Sequence, residues 1–417
     1  MEKGSGSLFY GWWIVIAGMV LITVTIGTHM SFGVFFKPIM EEFGWTRTTT
    51  AAGFFVGGLA IAATALSSGA LTDRYGPRLV ITGVGLINGV GYFLMSQVSS
   101  LWQFYLVFPM MALGMSIVTP LLTTVSRWFT DRRGLALGLV GVGAGLGQAI
   151  MPPITHYLVT QYGWRQAYMI LSVVVGLTVV SAAQAVRRDP REKGLWPYGE
   201  APDAGPGGAS VSAGEERAPP PAFSLRQVVH LRVFWMILLS GALGSLAMQM
   251  TMIHLVPHVT DVGISAAVAA TMLGIIGFTN IIGKVVMGWL ADRIGAKTTL
   301  AITNAMAGMV MLWLLRADEE WMLYGFAIAF GFAFGGWMTL LAATAGEVFG
   351  VASLGAIFGT MQAGTATFGT GGTVMAGYVF DVTQSYLPAF AVGAIAFLAA
   401  AALVMGARRP PRTSPLG

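Results

Sequence analysis

The 417-residue chain contains no cysteine, which excludes disulfides, thiolate metal sites and cysteine nucleophiles. Charge is scarce as well. Asp, Glu, Lys and Arg make up 10% of the residues, against 55% hydrophobic, and the mean hydropathy is +0.72. A soluble domain carries about 25% charged residues, so this balance excludes a water-soluble fold. What is present is apolar sequence in runs of about 20 residues, the length that crosses a hydrocarbon core of roughly 30 Å. The runs fall near 12–38, 49–70, 79–98, 101–126, 134–158, 166–186, 233–260, 265–290, 298–315, 321–345, 354–380 and 386–407. They predict an all-α membrane protein of twelve transmembrane helices. The short alternating segments of a membrane β-barrel are missing. The first run is longer than a signal-peptide core and lacks a small-residue cleavage site, so it reads as a retained helix.

The formal charge of +5 raises the question of an acidic partner, and its distribution answers it. An even number of helices puts both termini on one side. Nearly all basic residues fall on that side, with only Lys37, Arg47, Arg165 and Arg316 opposite and Lys284 left inside an apolar run. By the positive-inside rule both termini are cytoplasmic, in a multi-pass protein of the plasma (inner) membrane. The basic balance reflects topology, and nucleic-acid binding has no support.

Between the sixth and seventh helices the stretch "RRDPREKGLWPYGEAPDAGPGGASVSAGEERAPPPAFSLRQ" is rich in Pro, Gly, Ser and charge, the composition of a mobile linker. It divides the chain into an N-terminal six-helix bundle (1–186), a cytoplasmic linker (187–231) and a C-terminal six-helix bundle with a short tail (232–417). The halves resemble each other. "GALTDRYGPR" from Gly69 matches "GWLADRIGAK" from Gly288, and the same offset of 219 residues pairs Pro38 with Pro257 and Gly44 with Gly263. Duplication accounts for these coincidences, and parallel six-helix repeats are an architecture of secondary transporters. In the helix-five run "GLALGLVGVGAGLG", Gly134 with Gly138 and Gly141 with Gly145 have the spacing that lets helices approach closely.

The repeated loop resembles the signature loop of the major facilitator superfamily. It offers Gly69, Asp73, Arg74 and Gly76 in the first half and Gly288, Asp292, Arg293 and Gly295 in the second as conformational gating elements. More narrowly, "FYGWWIVIAG", "SFGVFFKPIMEEFGW" and "RWFTDRRGLALGLVGVGAGLG" resemble the monocarboxylate transporters and oxalate:formate antiporters, over nearly the whole chain. That resemblance implies alternating access and transport of small carboxylates.

All the acidic residues fall in loops, tail or helix ends, the nearest to a helix interior being Asp261, Glu347 and Asp381. A cationic substrate normally needs an anionic partner within the bundle. Their absence there favours an anion or a neutral solute. Lys284 is the exception to the apolar interior. It lies eight residues before Asp292, about 12 Å along a helix, within reach of a snorkelling lysine stem. The repeat points elsewhere: the equivalent position in the first half is Ala65, so the fold does not require a charge there. An ionisable residue inside the membrane is by default a functional residue, and Lys284 is expected to bind substrate.

Asn280 lies one turn before Lys284 and faces the same way. In the family resembled, an arginine on helix eight holds the carboxylate where Lys284 stands, and the proton-linked branch has an aspartate where Asn280 stands. Lysine keeps the charge without the bidentate fork. His254, before Pro257 on helix seven, and His29 on helix one complete the candidate substrate site, and either histidine can carry a proton.

The resulting expectation is a secondary active transporter of lactate- or pyruvate-like monocarboxylates, coupled to protons and working as a monomer in the bilayer. An organic-anion exchanger and an exporter of hydrophobic compounds are the alternatives. The sequence offers no nucleophile, base and orienter set, no metal-ligand cluster and no need for a cofactor.

Overall fold

The computed structural model describes residues 9–199, 225–349 and 354–407, with the side chains of 65–70, 73, 225 and 354–356 also outside the description. Among the described residues the protein is built from α1 (Tyr10–Met30), α2 (Phe32–Phe43), α3 (Arg47–Tyr75), α4 (Pro77–Ser96), α5 (Leu101–Ala112), α6 (Val118–Trp128), α7 (Arg133–Ala183), α8 (Leu225–Val228), α9 (Arg232–Asp261), α10 (Ala266–Ile294), α11 (Ala296–Leu314), α12 (Glu320–Phe334), α13 (Trp337–Phe349), α14 (Leu354–Thr383) and α15 (Leu387–Gly406).

Twelve spans follow from these fifteen helices, because the four-residue α8 crosses nothing, three spans are interrupted and one helix contains two. At about 1.5 Å per residue the 51 residues of α7 are far too long for one crossing. Gly163, with φ of 78°, breaks the run, and only glycine takes that backbone without strain. Ser31 separates α1 from α2, a 3₁₀ stretch over Leu113–Ile117 joins α5 to α6, and Gly335–Gly336 separates α12 from α13.

The internal repeat is visible in the backbone. Gly76 (φ 81°, ψ 156°) and Gly295 (φ 88°, ψ 148°) end their helices in the same conformation and begin the next. Gly44 and Gly263 both have positive φ. Pro38 and Pro257 both lie inside helices. Of the loop candidates, Arg74, Asp292 and Arg293 are exposed, as is Gly288; Gly69 and Asp73 fall on positions whose side chains lie outside the described residues.

The chain forms two compact units, one of residues 1–31 and 63–217, the other of 32–62 and 218–417. Within the first, α1 packs on α7. Three of the four glycines expected from spacing, Gly134, Gly138 and Gly141, are not among those that permit this. A β-carbon at Gly134 or Gly138 meets open space, whereas one at Gly143 would lie 2.5 Å from the Met19 carbonyl and one at Gly27 would lie 2.6 Å from the Gly147 carbonyl. Helix phase, which the four-residue spacing alone leaves undetermined, selects the face.

The start of the linker is also more ordered than its composition predicts. The Tyr198 amide donates to the Trp128 carbonyl at 2.9 Å, its carbonyl accepts from Thr130 and Asp131, and its ring packs against Phe9, Trp12 and Phe129. Aromatic burial holds a segment otherwise rich in polar residues.

In the second unit residues 32–62, which precede the first signature loop, join helices of the C-terminal half. Gly33 places α2 against α9, where a β-carbon would sit 3.1 Å from the Ile253 carbonyl, and Gly377 places α14 against the first turn of α3, where one would sit 2.8 Å from the Arg47 carbonyl.

Candidate functional site

Lys284 and Asn280 both occur on α10, Asn280 buried and Lys284 half-buried. The face of α10 that carries Gly283 packs on the interrupted tenth span. A β-carbon at Gly335 would lie 2.7 Å from the Lys284 amide nitrogen, and one at Gly336 would lie 3.5 Å from the Lys284 α-carbon. The interruption is therefore directly against the lysine backbone.

The local cause is the pair Gly335–Gly336. Gly335 leaves helical geometry (φ −57°, ψ 128°) and Gly336 turns at φ 77°. α13 then starts afresh, and its first backward bond runs from the Leu340 amide to the Gly336 carbonyl at 2.8 Å. As at any helix start, the amides before that bond have no partner within the helix. They carry the positive end of the helix dipole. An anion is the natural occupant of such an end.

Trp337, the first residue of α13, adds a donor. Its side chain is 4% exposed, yet its indole nitrogen has no hydrogen-bond partner. A buried indole N–H normally finds one. Gly244 on α9 makes room for it, since a β-carbon there would stand 2.8 Å from the indole nitrogen. The backbone of Lys284, a half-helix N-terminus and an unsatisfied N–H thus lie in one neighbourhood, and the last two favour negative charge or an acceptor.

Sequence reasoning singled out Lys284 and Asn280 and missed Gly335, Gly336 and Trp337. A signal existed in "FAFGGWMT": paired glycines in the middle of an apolar run long enough to span mark a discontinuous helix.

His254 belongs to a second constellation. It is fully buried on α9. Its Nε2 lies 2.8 Å from the Thr373 carbonyl and its Nδ1 lies 3.0 Å from the Tyr386 hydroxyl. The Phe36 ring meets the imidazole edge-on at 5.1 Å between centroids. Both ring nitrogens are taken up by protein in this conformation. His29 lies buried in the last turn of α1, in the first compact unit.

Tyr386 leads onward to Arg47, the first residue of α3. The Arg47 guanidinium donates to the Tyr386 hydroxyl at 2.7 Å and pairs with Asp261 at 2.7 Å. It also stacks over the Phe380 ring at 3.6 Å, a cation–π contact made in a largely dry setting. Lys37 reaches the other Asp261 oxygen at 3.4 Å. Asp381 accepts from the backbone amides of Arg47 and Thr48. Glu347 does the corresponding job in the second half, accepting from the Ala296 amide at 2.7 Å at the start of α11. The three carboxylates nearest the bundle interior are thus one ion-pair partner and two helix caps.

Beside Tyr386 lies a cavity of about 420 Å³ whose lining includes His258, Asp261, Arg316 and Phe380. His258 is 4% exposed and its Nε2 has no hydrogen-bond partner.

A family model described as Major Facilitator Superfamily matches residues 14–283 and 237–417. Monocarboxylate transporter 13 of Bos taurus is 26% identical over 403 residues, covering 95% of this chain and 89% of that protein. An oxalate:formate antiporter of Oxalobacter formigenes is 23% identical over 98% of this chain and 95% of its own length. Among solved structures, a bacterial homologue of the human lysosomal transporter Spinster, inward-facing and unoccupied, superposes with a TM-score of 0.68 over 96% of both chains at 15% identity. That last likeness concerns the fold.

Proposed function

Because the chain belongs to the Major Facilitator Superfamily, we propose that it is a secondary active transporter of small monocarboxylates of the lactate and pyruvate kind, coupled to protons and working by alternating access. The observation that carries this reading is the meeting of Lys284 with the N-terminal end of α13 at Gly335–Gly336. In this reading the carboxylate is held by the lysine charge, the free amides of α13 and the Trp337 indole N–H. Asn280, one turn away, supplies a neutral hydrogen bond, and apolar side chains receive the rest of the molecule. The related transporters are named for monocarboxylates and for oxalate and formate, which supports the same substrate class.

Only an interaction stronger for the substrate-loaded protein in transit moves the equilibrium between conformations. A neutralised lysine provides one. With a carboxylate bound at Lys284 the pair is neutral, and a neutral pair crosses the membrane at lower cost than a charge. The two sequence halves then rock around the site. Both termini face the cytoplasm, the protein resides in the plasma (inner) membrane, and one copy suffices.

A second reading, exchange of one anion for another, is favoured by Asn280. The proton-linked branch has an aspartate at that position, and an amide binds no proton in its place.

The test is uptake of labelled lactate into proteoliposomes at fixed membrane potential, with and without an inward proton gradient, for the wild type and Lys284→Ala. Gradient-dependent accumulation that disappears in the variant is expected. Uptake that ignores the gradient but rises with internal anion selects exchange. Undiminished uptake by Lys284→Ala removes the lysine from the site.

A further inference from the structure

The hydrogen bonds around His254 can be assigned a direction from chemistry alone. The Thr373 carbonyl only accepts, so Nε2 carries a hydrogen. In a neutral ring Nδ1 then accepts, and the Tyr386 hydroxyl must donate to it. The same hydroxyl oxygen accepts from the Arg47 guanidinium. Arg47, Tyr386, His254 and Thr373 form one chain in which every donor has an acceptor. It holds only while His254 is neutral.

A proton on Nδ1 reverses one link. The imidazolium donates from both nitrogens, so the Tyr386 oxygen faces two cationic donors and its own hydrogen loses its acceptor. The surrounding charges leave nothing to compensate. The charged and titratable groups that face this cluster are Lys37 on α2, Arg47 on α3, His258 and Asp261 on α9, Arg316 and Asp318 between α11 and α12, Asp381 on α14 and Tyr386 before α15. With both histidines neutral, three cations balance three carboxylates. Asp261 is already shared by Lys37 and Arg47, and Asp381 is committed to the first turn of α3.

What this cluster fastens is specific. Arg47 and Lys37 lie in residues 32–62, sequence of the first half, while their polar partners Asp261, Asp381 and Tyr386 are in the second half. In the reading above both termini are cytoplasmic, so the first helix ends and the second begins on the outer side, which makes this fastening the candidate for an outer gate.

We propose that His254 is a proton-binding site built into that gate, and that its protonation detaches Tyr386 from Arg47 and releases residues 32–62, so that opening to the outside takes up a proton. The inference rests on the proton-coupled reading above and gives it a carrier separate from Lys284. The proton arrives through the cavity beside Tyr386. The hydroxyl hydrogen of Tyr386 passes to His254 Nδ1 while its oxygen takes a proton from hydronium, which leaves as water. The ring gains one proton and one positive charge, and the phenol ends unchanged.

The absence of cysteine in the natural sequence allows a direct test. Ala51, one turn after Arg47 and fully buried, is replaced by cysteine, and labelling by an impermeant maleimide is followed in oriented proteoliposomes without substrate. Rates are normalised to those of the denatured protein at the same pH, which removes the thiol's own titration. Acidifying the outside from pH 7.5 to 5.5 is expected to raise the normalised rate at least fivefold. Adding His254→Gln is expected to leave a rate independent of pH. Adding Tyr386→Phe, which keeps the ring packing and removes the hydroxyl, is expected to give fast labelling at both values.

A flat pH response in the gate reporter overturns the inference even where lactate uptake follows the proton gradient, and it moves the carrier elsewhere. A response that survives His254→Gln overturns it too. A gate that responds through His254 while uptake ignores the gradient supports the site and sinks only the coupling reading. Should His254→Gln not fold, the Tyr386→Phe rates decide: slow labelling that still rises with acid overturns the inference.

Discussion

The carboxylate of Asp381, at the end of α14, caps the start of α3 at Thr48, accepting from its amide at 2.9 Å and from its hydroxyl at 2.6 Å. These residues are 333 positions apart. A helix cap, usually supplied by the residue just before the helix, here comes from the other half of the sequence. It stabilises α3 only while residues 32–62 stay with the second half.

Replacing Asp381 with Ala therefore has two expected effects. Thermal stability in detergent falls by the value of a lost cap, about 1 kcal/mol, and the Ala51→Cys reporter labels faster at neutral pH. Asp381→Asn, which keeps an acceptor but no charge, falls between. Equal labelling in all three proteins would remove Asp381 from the gate.

Asp261 serves two cations with different burial. Arg47 is buried and 2.7 Å away, whereas Lys37 is about one-third exposed and 3.4 Å away. Double-mutant cycles on unfolding in detergent should give a coupling of about 2 kcal/mol for Arg47→Met with Asp261→Asn, as for hydrogen bonds to charged groups. For Lys37→Met with Asp261→Asn the expected coupling is under about 1 kcal/mol. Equal couplings would show that burial of the guanidinium adds nothing.

Lys284→Arg restores the planar fork that the related branch uses for its carboxylate. It is expected to keep lactate uptake, with a KM changed more than the maximal rate, because charge is preserved and only geometry changes. Lys284→Gln, similar in length and uncharged, should lose uptake as Lys284→Ala does. Retained uptake in the Gln variant would show that the charge is dispensable.

Gly335→Ala would set a methyl 2.7 Å from the Lys284 amide nitrogen. Backbone cannot move aside as a side chain can, so a destabilisation of about 1 to 3 kcal/mol is expected, with loss of uptake. Gly371→Ala on α14, where a β-carbon meets open space, should be stabilising by about 0.5 to 1 kcal/mol through helix propensity. Unfolding transitions of the two purified variants test both signs.

Gly76 and Gly295 occupy a backbone region that is closed to side chains. Alanine at either is expected to cost about 1 to 3 kcal/mol. The two costs should be similar, because the conformations are repeated. A large cost at only one would show that the two loops bear different loads.

Composition and hydropathy were sufficient for the membrane and the twelve spans, because the cost of exposing polar backbone to lipid acts on every residue of a span and leaves its mark along the chain; the matched loops at Gly69 and Gly288 revealed the internal repeat. Lys284 was legible for the same reason: one charge in an apolar run is expensive wherever the run folds. Gly335–Gly336 was legible and unread. The partners of His254 were not legible at all, since Thr373 and Tyr386 lie 119 and 132 residues away and no periodicity links them. Nor does sequence order place residues 32–62 with the second half, or dock Tyr198 on the end of α6. Local chemistry and hydropathy are properties of the chain, so the sequence by itself determined where it crosses the membrane and which charge stands within an apolar run. Hydrogen bonds, ion pairs and close glycine contacts depend on which distant segments meet, and only the tertiary structure decided those.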